Sequence, residues 1–412
     1  MAGGSQTRRN EGGGAFGGMR AGSDQFPATS PEWGHIGQPE FIATITLLIA
    51  GKVFLTFPAT LTERAKTSGW MVTTIGALVA AAGVLVIISL MNRFPDYSLA
   101  RVSISLAGPV IGSLLNLALS LFFLVLAATI LREAAETLVI GILPTTPLSV
   151  LVAVMALVVA YGAYLGIEAV SRTVFLLSPW LMGLLAAIVL SDAGFFDFQR
   201  LLPVWSTRPA DVIWLGVVRS ALYAEVVSVA FLYPALRRKR PILGGTLLSM
   251  GLAWVIITGI MVSTVATFGV TGAARTAFPI FFMARLIHFG RFLQRVEALF
   301  IFLWFFSAAL NVTVAFYIAN VAVSETLHLP NYRPLVPAMT IILYTVALLA
   351  PSYIAVINFE ADGIRGFGSL ICFGIPLLLM AVAVITGKRQ PGTGAGGQGS
   401  SGDTKGASAD AG

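Results

Sequence analysis

Two ionisable side chains, Lys52 and Glu225, stand in runs that are otherwise almost wholly apolar: LIAGKVFLTFP over 48–58 and SALYAEVVSVAFLYP over 220–234. An ammonium and a carboxylate held away from water can pair with each other, exchange a proton, or grip a small molecule carrying both charges. Each costs about 2.5–3.5 kcal/mol at the centre of a membrane-spanning helix, so neither is expected to face lipid alone. The competing assignments are a Lys52 that snorkels to the interface and a Glu225 buried as a neutral packing residue.

Both runs share a plan: an ionisable residue, then a Phe-Leu pair, then Pro58 or Pro234. Proline removes a main-chain hydrogen bond from a helix interior, and Gly51 relaxes the first run further. Main-chain groups freed this way are tolerated in a membrane only where they line a cavity. Freed carbonyls favour a cation, and half-helix N-termini favour an anionic group such as a carboxylate. The expected arrangement brings Lys52 and Glu225 together across the two breaks, with the ammonium standing where a sodium-coupled transporter holds its ion.

The elements that must position these residues follow from composition. Of 412 residues, 57% are hydrophobic and 11% charged, and mean hydropathy is +0.86. Soluble domains carry about 25% charged residues, so part of this apolar surface requires lipid. The chain therefore reads as an all-α membrane protein. Ten spans of about 20 residues are expected near 38–60, 69–91, 109–131, 147–166, 170–191, 211–235, 242–268, 296–323, 334–354 and 366–386. The two interrupted spans are then the first and the sixth. Five spans separate them, so the second copy runs inverted, a five-plus-five repeat with its site at the midplane.

The net charge of +7 does not indicate nucleic acid, because the basic residues scatter or cluster at helix ends. The run Arg237-Arg238-Lys239-Arg240 sets the orientation, with both termini on its side of the membrane. Arg365 falls in the connection before the tenth span, on the opposite side. Segment 273–295 is too polar to span and suggests short amphipathic helices at that outer interface. Residues 1–35 and 387–412 read as disordered Gly-rich tails flanking a membrane domain over 36–386.

One cysteine, Cys372, and three scattered histidines leave no metal site or disulfide framework, and no catalytic motif is present. Nothing points to an enzyme or a cofactor. Arg132 and Glu136, four apart at the end of the third span, share a helix face; beside that pairing stands a role as an outer gate. Asn311 lies deep in the eighth span, placed for a hydrogen bond between helices or for ligand contact.

The stretches GKVFLTFPATLTERA, ISLMNRFPDYSLA, LREAAETL before LPTTP, FDFQRLLPV, AEVVSVAFLYPALRRKR, FPIFFMARLIHFGRFLQRVEALFIFLW and LPNYRPLVP resemble the spore-germination permeases. These are the B subunits of germinant receptors, within the amino acid–polyamine–organocation superfamily. The resemblance implies a LeuT-like fold in the inner membrane of a spore, with an A-type subunit and a C-type lipoprotein as partners. It implies recognition of a small germinant such as an amino acid. By this resemblance Gly51, Lys52, Val53 and Phe54 line the pocket, and Tyr223, Ala224, Glu225 and Val226 face it. Family members often carry glycine where this chain has Ala224. A proton-coupled amino-acid symporter of the same fold and a membrane scaffold with a vestigial pocket are the alternative functions.

Overall fold

The structure is a computed structural model that describes residues 35–51, 56–237, 242–276, 278–286 and 296–389. Lys52, Val53 and Phe54 lie outside these residues, as do the two expected tails apart from His35 and residues 387–389. The described chain is helical throughout, with one isolated parallel bridge between Ile36 and Leu236.

The first span is split into α1 (Gln38–Ala50) and α2 (Phe57–Ala65), and α3 (Gly69–Met91) returns across the bilayer. Then come α4 (Leu99–Gly141), α5 (Leu148–Leu165) and α6 (Ile167–Ser191). The sixth span is α7 (Pro209–Val218), a 3-10 stretch over Arg219–Val227, and α8 (Ser228–Leu232). It is followed by α9 (Ile242–Arg275), short α10 (Pro279–Leu286), α11 (Val296–Thr326) and α12 (Val336–Leu348). The last span assembles α13 (Tyr353–Asn358), α14 (Arg365–Ser369) and α15 (Ile375–Ile385), joined by π-helical turns over Phe359–Ile364 and Leu370–Gly374.

Among the described residues, eight helices are long and apolar enough to cross a membrane, and two shorter apolar helices accompany them. The expected count of ten equal spans is therefore not reproduced as such. The first span falls short because its helix ends at Ala50, and the ninth because α12 stops at Leu348.

Two boundaries differ from the expected ones. The third span begins at Leu99 rather than near 109, because Ser98 caps it by accepting from the Arg101 N–H. A kink at Gly108 (φ 81°) and Pro109 then redirects the helix; only glycine enters that left-handed region without cost. The tenth span begins at Tyr353 rather than near 366, which takes Glu360 and Arg365 out of the expected loop and into the bundle.

The layering follows from how each helix is covered. The most apolar stretch of the sixth span is 83% buried, whereas those of α5 and α6 are 28% and 22% buried. The sixth span is thus the axis of the bundle, and α5 and α6 belong to its lipid-facing periphery. On α5 that face is Val150, Val154, Leu157, Val158 and Tyr161, all exposed. Helices α4 and α11 pack on each other more extensively than any other pair, and both also pack on α5. Helix α10 buries Ile280, Met283 and Ala284 and exposes Phe282 and Leu286, which suits a short interfacial helix.

Candidate functional site

Helix α1 ends at Ala50, and its last turn presents the carbonyls of Leu47, Leu48, Ile49 and Ala50. Two of them are met from across the bundle. The buried Asn311 side chain on α11 donates its Nδ2 hydrogens to Leu47 O at 3.0 Å and Leu48 O at 3.3 Å. The Gly51 N–H returns to Leu47 O at 2.7 Å. Asn311 Oδ1 and, one turn before it, Ser307 Oγ are buried and have no hydrogen-bond partner among the described residues.

A side chain at 51 would collide with this arrangement. A Cβ on Gly51 lies 2.7 Å from Asn311 Nδ2 and 2.7 Å from Leu47 O. Gly51→Ala is expected to displace Asn311 and cost about 1–3 kcal/mol, read as a lower thermal midpoint that Asn311→Ala does not lower further.

On α2 the first turn opens at Phe57-Pro58, and Thr56 makes no side-chain cap. Its N–H groups are therefore not occupied by the residue that normally takes them.

The sixth-span stretch Arg219–Val227 is buried along its whole length. A 3-10 run of nine residues is unusual, since eclipsed side chains and poorer hydrogen bonds limit most runs to 3–4 residues. Tyr223 donates its hydroxyl to Thr73 O on α3 at 3.1 Å, which fixes that turn. Ala224 and Val226 pack into the core.

Glu225, fully buried, accepts from Arg365 Nη1 at 2.9 Å. The same nitrogen donates to Ala221 O at 3.1 Å, and Arg365 Nη2 reaches Glu360 Oε1 at 2.5 Å. The arrangement is reciprocal: Arg219 Nη1 donates to Ala361 O in the π turn at 2.6 Å. Each arginine thus satisfies irregular main chain on the other's helix, and Ser220 and Ser369 hydroxyls meet at 3.0 Å beside them. Further out, Arg64 of α2 pairs with Asp362 at 2.5 Å, tying the second half of the first span to the tenth.

Arg365 was expected in a loop. The error has a definite cause: Glu360, Asp362 and Arg365 depress local hydropathy, so the segment does not read as part of a span. Positions 360 and 365 face one partner because the intervening turn is π-helical, with i→i+5 hydrogen bonding. A five-residue spacing of opposite charges was the signal available.

Arg132 and Glu136 are brought together, with Nη2 to Oε1 at 2.8 Å. Arg132 Nη1 also donates to Ala347 O of α12 at 3.3 Å, so the pair joins α4 to the ninth span. Their partners lie on α4 and α12, whereas Glu225 of the sixth span pairs with Arg365 of the tenth.

Two cavities border the breaks. A space of about 20 Å³ lies between α2, the sixth span and the tenth, lined by Thr56, Phe57, Thr60, Arg219, Glu360 and Arg365. That is room for roughly one water, which needs about 10–15 Å³. A much larger cavity of about 570 Å³ opens between α1, α6 and α9, beside Gly51. Its lining, including Ile42, Leu47, Phe175, Met182, Leu252 and Ile256, is nearly all apolar and suits hydrocarbon.

Comparison with known proteins assigns the architecture. Residues 35–355 match the family described as "Spore germination protein". The chain is similar to Spore germination protein YndE of Bacillus subtilis (strain 168), 22% identical over 287 residues, covering 69% of this chain and 78% of that one. Spore germination protein KB of the same strain is 21% identical over 298 residues, covering 71% and 79%. Spore germination protein B2 is 18% identical over 343 residues, covering 82% and 92%. Among solved structures, MhsT in complex with L-phenylalanine superimposes with a TM-score of 0.65 at 16% identity, over 85% of this chain and 89% of that chain. At that identity the likeness speaks for fold: the LeuT-like helical membrane architecture that the family resemblance implied.

Proposed function

The chain belongs to the spore germination protein family, a multi-pass membrane protein of permease type, and from that premise we propose that it is the ligand-sensing subunit of a germinant receptor. A small zwitterion, most simply a neutral amino acid, binds at the midplane between the first and sixth spans and shifts the equilibrium between two arrangements of the bundle.

The observation that carries this reading is the treatment of the two breaks. Fixed side-chain donors hold both: Asn311 donates to Leu47 and Leu48 at the end of α1, and Arg365 donates to Ala221 in the 3-10 stretch of the sixth span. Such support preorganises a polar centre in an apolar bundle at a cost that packing alone would avoid. The uncapped first turn of α2 offers N–H groups to a carboxylate, and the buried acceptors Asn311 Oδ1 and Ser307 Oγ suit an ammonium. L-Phenylalanine in the MhsT complex agrees with an amino acid as the ligand class. Lys52 belongs to the same site in this reading, lining it with Val53 and Phe54. The site sits in the spore inner membrane, in an assembly with an A-type subunit and a C-type lipoprotein.

A panel of amino acids added to the purified full-length chain in nanodiscs tests the reading. A saturable rise in thermal midpoint is expected for a few neutral amino acids, with affinity about tenfold weaker in Gly51→Ala. No shift with any member of the panel would remove the ligand assignment. Accumulation of labelled amino acid in vesicles holding this chain alone would instead identify a proton-coupled symporter.

A further inference from the structure

The apolar cavity beside Gly51 plays no part in the ligand reading. It holds about 570 Å³, within the ~300–1,000 Å³ of small-molecule pockets. One wall is α1 from Gln38 to Gly51; the others are Phe175 and Met182 of α6 and Leu252 and Ile256 of α9. Over that stretch α1 rises about 20 Å, close to the ~15 Å depth of one leaflet's hydrocarbon. Phe175, Leu252 and Val255 are exposed at its flank, so the cavity opens sideways toward the bilayer.

The end of the cavity nearest the basic run is polar. Gln38 begins α1, and its amide Nε2 is buried without an acceptor among the described residues. Its Oε1 packs on Gly245 of α9, where a Cβ would lie 2.7 Å away. Arg237 is held close by: beside the parallel bridge of Ile36 and Leu236, its N–H donates to Ile36 O at 3.2 Å, two residues before Gln38. Arg237 is exposed, pairs with no carboxylate among the described residues, and opens the run Arg237-Arg238-Lys239-Arg240. Four basic residues at the cytoplasmic end of a span attract anionic headgroups, and the walls beyond them attract hydrocarbon. One molecule meets both demands when a negative head carries a long apolar chain.

The same cavity bears on how α1 is held. Toward α9, α1 makes two long hydrogen bonds, Thr46 Oγ1 to Ser249 O at 3.4 Å and Ser249 Oγ to Ile42 O at 3.3 Å. Toward α6, the cavity interrupts its packing.

We propose that an anionic phospholipid of the cytoplasmic leaflet seats one acyl chain in this cavity, with its phosphate at Gln38 and the Arg237 run. The chain completes the packing of α1 on α6, and its end reaches Gly51 at the first-span break. Lipid occupancy thereby steadies the first half of the first span. The site does not rest on the ligand reading above, and its test uses no amino acid.

The full-length chain is placed in phosphatidylcholine nanodiscs with a trace of phosphatidylglycerol carrying a diazirine near the end of one acyl chain. After irradiation, label is expected in peptides covering 43–51, 175–182 and 252–256, above the level on the lipid-facing α5. Added phosphatidylglycerol displaces it where the same amount of phosphatidylcholine does not. Ala43→Phe puts a ring into the cavity and abolishes the labelling. The thermal midpoint of the parent rises saturably with the phosphatidylglycerol fraction, and that of Ala43→Phe does not. Label spread evenly over α5 and the cavity helices overturns the proposal without recourse to any variant. Equal displacement by the two lipids overturns the anionic assignment, and a midpoint that follows phosphatidylglycerol equally in Ala43→Phe removes the link between occupancy and α1.

Discussion

Replacing Arg365 with alanine is expected to lower stability by about 3–5 kcal/mol, the range for removing one partner from a buried ion pair. The guanidinium serves three acceptors at once: Glu225 Oε1, Ala221 O and Glu360 Oε1. Its loss strips the cation from between the buried Glu225 carboxylate and the part-buried Glu360 carboxylate, and leaves the Ala221 carbonyl of the 3-10 stretch without that donor. Arg365→Lys is expected to recover little, because a compact ammonium cannot reproduce a planar fork with separately aimed N–H groups. Neutralising the acids as well should recover part of the loss. Arg365→Met combined with Glu225→Gln and Glu360→Gln removes all three charges of this cluster, and such replacements are often close to neutral. Thermal midpoints and the yield of monodisperse protein in detergent measure the series. An Arg365→Ala chain as stable as the parent would show that the cluster contributes nothing to holding the sixth span.

Asn311→Asp is expected to make the stability of the chain depend on sodium. In the parent, an N–H-bearing nitrogen lies 3.0 Å and 3.3 Å from the carbonyl oxygens of Leu47 and Leu48. Aspartate puts a carboxylate oxygen in that position, acceptor against acceptor, and the buried helix end loses its side-chain donor, keeping only the Gly51 N–H on Leu47 O. The cost of orphaning such groups is about 1–3 kcal/mol, which Asn311→Ala measures alone. A carboxylate beside two carbonyls is also a ligand set for a hard cation, so added sodium should raise the Asn311→Asp midpoint in a saturable way. The parent and Asn311→Ala should not respond. An identical sodium response in all three chains would mean that Asn311 does not stand in for a cation at the end of α1.

Both results concern residues that differ in how visible they were from sequence. Asn311 could be picked out because a carboxamide deep in an apolar run must find a partner, and the first-span break needs donors. Arg365 could not be placed correctly: its acidic neighbours make the segment look like a loop, and only a π turn puts 360 and 365 on one face.

Sequence by itself determined the quantities that are local or additive. The apolar load requires a bilayer, the turn prolines and glycines divide the helices, and the repeated pattern ending in Pro58 and Pro234 marks the first and sixth spans as interrupted. Each of these depends on residues close together in the chain or on totals over it. Tertiary structure alone decided which side chains meet across helices: Asn311 with the end of α1, Arg365 with Glu225, Arg219 with the π turn. Those contacts join residues more than a hundred positions apart, and they turn on helix rotation and on turns of unusual pitch. A shift of one residue in register would aim a different side chain into the centre, and no count along the chain records that angle.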